Sequence, residues 1–202
     1  MADDRWCRSF DAVVASAVPT GSRILDLGCG DGGLVERLAE LGYDALGVDP
    51  GAPTHEHLIR QRIEDVEGLG KFDAVTAVMA LHHADLGAVF RAVAGLLHPH
   101  GQLLVSDFAW DAYDERAAAW IAEHDRSDAD NSVVGWRREH QGLHMGSTIT
   151  AALSASLVLT REVRGPYLAR MLARHDLETE ERERVDAGLV PALGLQLTGR
   201  LA

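Results

Sequence analysis

Apolar and polar residues alternate in blocks along the first half of the chain. Short apolar runs predict buried strands, and segments with apolar residues at helical spacing predict helices between them. The predicted strands lie at residues 23–27, 44–49, 72–79 and 102–106. The predicted helices lie at residues 3–17, 31–41, 54–60 and 85–97. An order in which strands and helices alternate is typical of a parallel sheet with helices on both faces.

The pattern changes after residue 110. Residues 110–144 form a polar, tryptophan-containing segment in which one helix is predicted, at residues 114–124. Further helices are predicted at residues 147–156, 167–173 and 178–187, and strands at residues 157–163 and 193–201. In the charged helix at 178–187, Glu178 with Arg182 and Glu180 with Arg184 stand at the i,i+4 spacing of ion pairs on a solvated helix face.

Composition and charge narrow the class of protein. The 202 residues suffice for one domain with a sizeable core, and the net charge of −12 without a basic cluster disfavours a nucleic-acid partner. Only two cysteines, Cys7 and Cys29, are present, which favours a reducing compartment. The acidic N-terminus does not resemble a signal peptide, and the longest apolar run, at 74–81, is too short to span a membrane. We therefore expect a cytoplasmic protein.

A glycine-rich loop follows the first strand and precedes the second helix. Gly28, Gly30 and Gly33 match the dinucleotide-binding pattern, and Asp49 ends the next strand about 20 residues further on, where such folds place a ribose-binding acid. Glycine lets the backbone approach a ligand closely, since it has no Cβ. A nicotinamide-dependent oxidoreductase is therefore one interpretation of the loop.

Asp26 favours a different ligand. This carboxylate stands two residues before the first glycine of the loop, where it would repel a pyrophosphate. S-adenosylmethionine carries no phosphate, and its ammonium and sulfonium groups would be attracted by a carboxylate. The loop is thus better suited to S-adenosylmethionine than to a dinucleotide.

Four motifs in order carry a family resemblance. Residues 24–32 resemble an acid-x-Gly-x-Gly-x-Gly motif, and residues 47–50 a second-strand acid. Residues 72–75 with 80–83 resemble a fourth-strand motif, and residues 97–103 a Leu-x-Pro-x-Gly turn. Over about residues 20 to 110 the chain resembles the class I S-adenosylmethionine-dependent methyltransferases, especially the small-molecule group similar to the ubiquinone and menaquinone biosynthesis enzymes. The resemblance implies an α/β fold with a Rossmann-like, doubly wound sheet that is mostly parallel, with an antiparallel last strand and helices on both faces.

The resemblance also implies the cofactor, S-adenosyl-L-methionine, the product, S-adenosyl-L-homocysteine, and a set of contacts. Gly28 and Gly30 would touch the methionine portion, Asp26 would fix the loop and the ammonium end, and Asp49 would accept hydrogen bonds from both ribose hydroxyls. The stretch before strand four departs from the family pattern at Arg62, so that Ile63 with Glu64 is chosen for the adenine. The predicted cofactor contacts are Asp26, Gly28, Cys29, Gly30, Asp49, Pro50, Ile63, Glu64, Met79 and Ala80.

The sequence has fewer recognisable motifs for binding the methyl acceptor than for binding the cofactor. Methyl transfer from a sulfonium is a direct, in-line displacement, so the protein mainly positions the acceptor, here an oxygen or nitrogen. After the fourth strand the chain lacks the Asn-Pro-Pro-aromatic motif of relatives that methylate amino groups and glutamine, which favours a small-molecule acceptor and counts against DNA adenine. His83 is the candidate general base, with packing beside the cofactor as its alternative. No metal site is predicted, although His140 and His144 have i,i+4 spacing. The predicted acceptor-lining residues are Trp110, Tyr113, His140, His144 and Tyr167.

We expect one methyltransferase domain over residues 1–202. Residues 110–147 would form an acceptor-side insert or lid, because ligands of open α/β sheets lie beyond the carboxyl ends of the strands. Residues 166–191 would form a helical insert before the last strand. Two other functions stay open beside the methyltransferase: the oxidoreductase, and a non-catalytic protein that binds the cofactor or a partner. The sequence does not predict an oligomeric state.

Overall fold

The computed structural model describes residues 10–125, 127 and 129–202. The strands are β1 (Arg23–Leu27), β2 (Asp44–Val48), β3 (Leu58–Ile59), β4 (Phe72–Val78), β5 (Leu97–Phe108), β6 (Val158–Gly165) and β7 (Gly194–Arg200). The helices are α1 (Phe10–Ala17), α2 (Gly33–Glu40), α3 (Leu86–Leu96), α4 (Glu115–His124), α5 (Val133–His140), α6 (Gly146–Ser156), α7 (Leu168–Met171) and α8 (Glu178–Asp186). Cys7 and the part of the first predicted helix before Phe10 lie outside the described residues.

All seven strands belong to one sheet, in the order β3-β2-β1-β4-β5-β7-β6. Strands β1 to β5 pair in parallel, whereas β7 lies antiparallel to both β5 and β6. The prediction of a mostly parallel, doubly wound sheet with an antiparallel last strand is confirmed.

Helices cover both faces of the sheet because strand side chains alternate. On one face Ile24 and Leu104 pack with apolar residues of α1 and α2. On the other face Leu25 and Val75 pack with apolar residues of α3 and α6. The longest helices, α3 and α6, have 11 residues each, and no helix in the described part of the chain is long and apolar enough to cross a membrane.

Two segments lie beyond the carboxyl ends of the strands. Helices α4 and α5 follow β5, and helices α7 and α8 follow β6. Their apolar residues share a third cluster, which includes Trp120 and Trp136 from the first segment and Leu168 and Leu177 from the second. The two segments therefore pack together at the edge of the sheet where open α/β folds bind ligands.

The predicted helix at residues 54–60 is wrong. The chain forms a turn there, followed by β3, whose Leu58 pairs with Gly47 of β2. A Cβ at Gly47 would lie 2.8 Å from Leu58 Cδ2, so the bare glycine makes room for the leucine side chain. Pairing with the sheet edge therefore outweighs the local helix pattern.

The segment at 110–144 contains a second helix, α5, that the pattern did not predict. The side chain of Ser132 accepts a hydrogen bond from the backbone N–H of Gly135, which caps the helix N-terminus. Gly135 lowers the helix propensity of the segment, so the sequence pattern did not indicate a helix there.

The charged helix α8 only partly matches its predicted ion pairs. Glu180 pairs with Arg184 at 3.0 Å, as predicted. Glu178 instead bonds His175 at 2.8 Å, and the expected pair with Arg182 does not form. Glu181 is buried, because its carboxylate accepts hydrogen bonds from the first backbone N–H groups of α7. The helix is therefore not a uniformly solvated element.

Candidate functional site

The glycine loop owes its shape to three left-handed glycines. Gly28, Gly30 and Gly32 have φ values of 75°, 58° and 94°, whereas Gly33 is simply the first residue of α2. A Cβ at Gly28 would lie 2.5 Å from the Cβ of Ala80. A Cβ at Gly30 would have no atom within 4 Å, so the space above this residue is open to a ligand. The loop thus follows the Gly-x-Gly-x-Gly spacing, and not the spacing that ends at Gly33.

Asp49 extends from the end of β2 toward this loop. Its Oδ2 accepts a hydrogen bond from the backbone N–H of Gly30 at 3.2 Å, and its Oδ1 accepts one from Gly51 at 2.6 Å. The residue is half-buried. Its carboxylate is therefore held in place at the mouth of the loop, with lone pairs left over for a ligand.

A cavity of about 320 Å³, here called the glycine-loop cavity, opens beside these residues. Its walls come from the glycine loop, the end of β2, the turn before β4 and the chain just after β4. They are formed by Gly28, Asp49, Pro50, Arg62, Ile63, Glu64, Met79, Ala80, His83 and Ala84. Seven of the ten predicted cofactor contacts line this cavity, together with the predicted base.

Arg62 is not among the predicted cofactor contacts, yet it lines the glycine-loop cavity. Its guanidinium lies 3.3 Å from the Glu64 carboxylate. Residues two positions apart do not face each other on a helix, so the pairing of Arg62 with Glu64 depends on the geometry of the turn.

Three other predicted contacts, Asp26, Cys29 and Gly30, lie in or behind the loop. Asp26 is only 3% exposed and accepts a hydrogen bond from the Thr76 hydroxyl at 2.7 Å. Burial raises the pKa of Asp26 to about 7. Burial, and secondly the charge of Asp26, raises the pKa of the Cys29 thiol to about 12. The Cys29 side chain packs toward Gly47, so this residue can meet a ligand only through its backbone.

Met79 joins β4 to the cavity in a strained conformation. Its φ of 53° is uncommon for a residue with a side chain, and its backbone N–H donates to the Ser106 carbonyl at 2.8 Å. Such strain is found most often at ligand-binding sites.

Two adjacent histidines follow Ala80 in different environments. His83 is exposed on the glycine-loop cavity, and partial burial followed by the neighbouring His82 lowers its pKa. His82 is buried, and its Nδ1 lies 2.7 Å from Oδ1 of Asp107. The buried carboxylate of Asp107 also accepts hydrogen bonds from the backbone N–H groups of Leu81 and Phe108. Asp107 did not emerge from the sequence, since only the fold brings the ends of β4 and β5 together.

A second cavity, of about 310 Å³, lies between α2 and α8 and is here called the α2–α8 cavity. Its floor is a row of paired residues on three neighbouring strands, Val78, Ser106 and Gln196. Tyr167, a predicted acceptor contact, lines it, and the Tyr167 ring stacks on Phe108 at 4.8 Å. Val78, which lines this cavity, directly precedes Met79, which lines the glycine-loop cavity, so each cavity has a wall residue near the end of β4.

Three of the other four predicted acceptor contacts have partners inside the segment at 110–147, whereas the His144 ring contacts a residue outside it. Trp110 donates its indole N–H to the carbonyl of His144, and the Tyr113 hydroxyl donates to the carbonyl of Asn131. His140 stacks on an indole of α5 with ring centroids 4.0 Å apart, and His144 Nε2 lies 2.9 Å from the Ala84 carbonyl. None of the four lines either of these two cavities in the described structure, and their contact with an acceptor stays a prediction.

The glycine-loop cavity fits a nucleoside that carries no phosphate. The open space above Gly30 forms a cradle, and the Asp49 carboxylate can accept hydrogen bonds from a pair of hydroxyls. Ile63 offers an apolar surface for a flat ring. Asp26 lies behind the loop with its pKa raised to about 7, and the groups that face a ligand here, Asp49 and Ile63 among them, suit S-adenosylmethionine.

Comparison with known proteins agrees with this chemistry. A family model described as a methyltransferase domain matches residues 2–150. The chain is 39% identical over 114 residues to a ubiquinone biosynthesis O-methyltransferase of Xanthomonas axonopodis pv. citri, a match that covers 48% of this chain and 47% of that protein. It is 36% identical over 118 residues to the enzyme of the same name from Bradyrhizobium diazoefficiens, covering 51% and 47%. The chain spans about half the length of the curated relatives it matches.

Solved structures share the fold. An S-adenosylmethionine-dependent methyltransferase from Mesorhizobium loti superposes with a TM-score of 0.60 at 23% identity, covering 94% of this chain and 96% of that chain. The 1,6-didemethyltoxoflavin-N1-methyltransferase of Burkholderia thailandensis superposes with a TM-score of 0.62 at 16% identity, covering 96% and 77%. Because the family model takes in more than half of the chain and the sheet has the matching architecture, the chain belongs to the class I S-adenosylmethionine-dependent methyltransferases, whose methyl donor is S-adenosylmethionine and whose product is S-adenosylhomocysteine.

Proposed function

We propose that this protein methylates a hydroxyl group of a small molecule, with His82 as the general base. The observation that carries the proposal is the buried pair of His82 and Asp107, in which His82 stands between Ala80 and His83, two residues that line the glycine-loop cavity. The curated relatives, whose names describe O-methyltransferases, agree with an oxygen acceptor.

The predicted cofactor contacts would hold S-adenosylmethionine in the glycine-loop cavity. Asp49 would bind the ribose, Ile63 and Glu64 the adenine, and the backbone at Gly28 and Gly30 the methionine portion. Pro50, Met79 and Ala80 would complete the wall, while Asp26 and Cys29 would support the loop from behind. When bound, the cofactor supplies a methyl group on a sulfonium, which is already activated for displacement. The protein's own task is then to orient an acceptor and to remove its proton.

His82 is oriented for proton removal by Asp107. An ionised carboxylate can only accept hydrogen bonds, so the 2.7 Å contact fixes the proton of neutral His82 on Nδ1. The lone pair then lies on Nε2, which has no hydrogen-bond partner among the described residues. His83 has no such orienting partner, although its lowered pKa keeps it neutral near pH 7. The contacts therefore favour His82 over the residue that the sequence singled out.

The two segments beyond the strand ends would enclose the acceptor. Residues 110–147 and 166–191 pack together in one apolar cluster, and Tyr167 of the second segment lines the α2–α8 cavity. We propose that this cavity receives the acceptor, beside the end of β4. Excluding water there would strengthen the contact between the base and the hydroxyl.

Paired substitutions test the base. Methyl transfer from labelled S-adenosylmethionine to a panel of hydroxylated aromatic compounds first identifies an acceptor. On that acceptor, His82→Gln should lower kcat by about 10²–10⁴-fold, and Asp107→Asn should also lower it. His83→Gln is the matched neighbour and should change kcat far less. His82→Gln and Asp107→Asn should keep their affinity for S-adenosylhomocysteine, and an unaltered kcat in His82→Gln would exclude His82 as the base.

A further inference from the structure

The α2–α8 cavity holds two arginines that form no ion pair within the described part of the chain. Arg170 on α7 is exposed and Arg182 on α8 is half-buried, and both line the cavity. Neither makes a hydrogen bond or an ion pair within the part of the chain that the structure describes. In a protein with a net charge of −12, two guanidinium groups without a carboxylate partner in one cavity require an explanation.

The acidic residues of the same cavity are already engaged. Glu178 bonds Nδ1 of His175 at 2.8 Å. Glu181 is 1% exposed, and its two oxygens accept three backbone N–H bonds at the start of α7. Each carboxylate thus has a structural partner, and hydrogen-bond donors remain in excess on the α7 and α8 sides of the cavity.

The remaining lining suits a flat ring. Phe10 and Tyr167 contribute aromatic surface, and Tyr167 is supported by its stacking on Phe108. Burial raises the pKa of Tyr167 to about 12, so its hydroxyl remains a hydrogen-bond donor near neutral pH. Planar rings and guanidinium groups both pack well on aromatic faces.

We infer that the α2–α8 cavity binds an aromatic hydroxy acid, with its carboxylate held by Arg170 and Arg182. Arginine is well suited to this task because its planar fork can bind a carboxylate with two parallel hydrogen bonds. The ring would lie along Tyr167, and the hydroxyl would point to the end of β4, where Val78 lines this cavity. This inference rests on the proposed function, since it names the class of acceptor for that same site.

Calorimetry with a matched pair of probes tests the inference. The full chain is titrated with 3,4-dihydroxybenzoate and with its methyl ester, each with and without S-adenosylhomocysteine. The acid should bind at least about tenfold more tightly than the ester, the factor expected for one charged hydrogen bond. Equal affinity for both probes, or no binding of the acid at millimolar concentration, would overturn the inference.

Variants assign the preference to the two arginines. Arg182→Gln and Arg170→Gln should each remove most of the preference for the acid, and Arg182→Lys should retain part of it. Arg184→Gln is the control on the same helix, because Arg184 pairs with Glu123 and Glu180 outside the cavity. A preference that survives both glutamine substitutions, in variants with a normal thermal transition, contradicts the assignment.

The carboxylate of the cofactor's amino-acid end is the other possible anion. S-adenosylhomocysteine carries this group, and 5′-methylthioadenosine lacks it. If Arg182→Gln weakens S-adenosylhomocysteine but changes neither methylthioadenosine nor the acid probe, the arginine serves the cofactor and the inference fails. If the acid binds while S-adenosylhomocysteine does not, the anion site stands and the proposed function fails. If the ester is methylated as well as the acid, the function stands and the anion site fails.

Discussion

The two halves of the chain differ in how far the proposed ligand contacts can be predicted from the local sequence. Between residues 20 and 108, ligand geometry is set by backbone: left-handed glycines, strand ends and one carboxylate at Asp49. Between residues 110 and 193, the proposed acceptor contacts are side chains from α7 and α8 that meet only in the folded protein. A required backbone conformation leaves a local motif in the sequence, such as glycines at fixed spacing. Contacts between side chains that are far apart along the chain leave no such motif. The proposed cofactor contacts can therefore be predicted from local motifs, and the proposed acceptor contacts cannot.

The largest expected effect comes from adding a methyl group to the glycine loop. Gly28→Ala places a Cβ 2.5 Å from that of Ala80, at a φ of 75°. Clash and backbone strain together should lower the free energy of unfolding by about 3–5 kcal/mol and abolish binding of S-adenosylhomocysteine. Gly142→Ala is the control in the second half, because a Cβ there meets nothing within 4 Å. Chemical denaturation compares the two, and equal stability would contradict the difference between the halves.

Asp26 should make stability depend on pH. Its pKa is raised from the ordinary value of 3.8 to about 7 in the folded protein, so the folded state holds a proton that the unfolded state has lost. The stability that this provides is complete below about pH 4 and is lost as the pH rises to about 7. Asp26→Asn removes this loss and should stabilise the protein at pH 8 by on the order of 3 kcal/mol. Thermal unfolding from pH 5 to pH 8 measures it, and parallel curves for the two proteins would show that Asp26 does not titrate as described.

Asp49 should dominate cofactor affinity. Asp49→Ala removes the charged acceptor that would bind the ribose hydroxyls, and should weaken S-adenosylhomocysteine binding by roughly 1.5–3 kcal/mol. Asp44→Ala changes an exposed acid at the other end of the same strand, whose partner is Arg23, and serves as the control. Calorimetry that gives the same affinity for wild type and Asp49→Ala would remove the ribose assignment.

The smallest effect belongs to the second half. Tyr113→Phe removes a hydroxyl that donates to the Asn131 carbonyl at 2.7 Å, and should cost about 1 kcal/mol of unfolding free energy without altering the affinity for S-adenosylhomocysteine. Tyr43→Phe is the counterpart in the first half, where the hydroxyl bond is longer, at 3.4 Å, and the loss should be smaller. A loss of cofactor affinity in Tyr113→Phe would break the separation between the halves.

The fold was largely predictable because its signals are local. Apolar runs gave β1 and β4 to within a residue, and the alternation of elements gave the doubly wound sheet. The predicted helix at residues 54–60 does not form, because pairing of Leu58 with Gly47 at the edge of the sheet outweighs the local helix propensity. Helix α5 was not predicted because Gly135 lowers the helix propensity of the segment, although Ser132 caps the helix by accepting a hydrogen bond from this glycine.

The site was predictable only where it depends on backbone. Seven of ten predicted cofactor contacts line one cavity. Asp107 was missed because its role depends on strand pairing that brings it to His82, 25 positions away. Arg182 was missed for a similar reason: Glu178, its expected partner at i−4, bonds His175 instead and leaves the guanidinium facing the cavity. Spacing along a helix cannot reveal which of two possible partners a carboxylate will choose.

The most direct test of the account is a calorimetric titration of the full chain with S-adenosylhomocysteine and, separately, with NAD⁺. Membership of the methyltransferase family, the glycine loop and Asp49 together predict a single-site isotherm for S-adenosylhomocysteine, weakened by Asp49→Ala, and no binding of NAD⁺. Binding of NAD⁺ in the absence of binding of S-adenosylhomocysteine would contradict it.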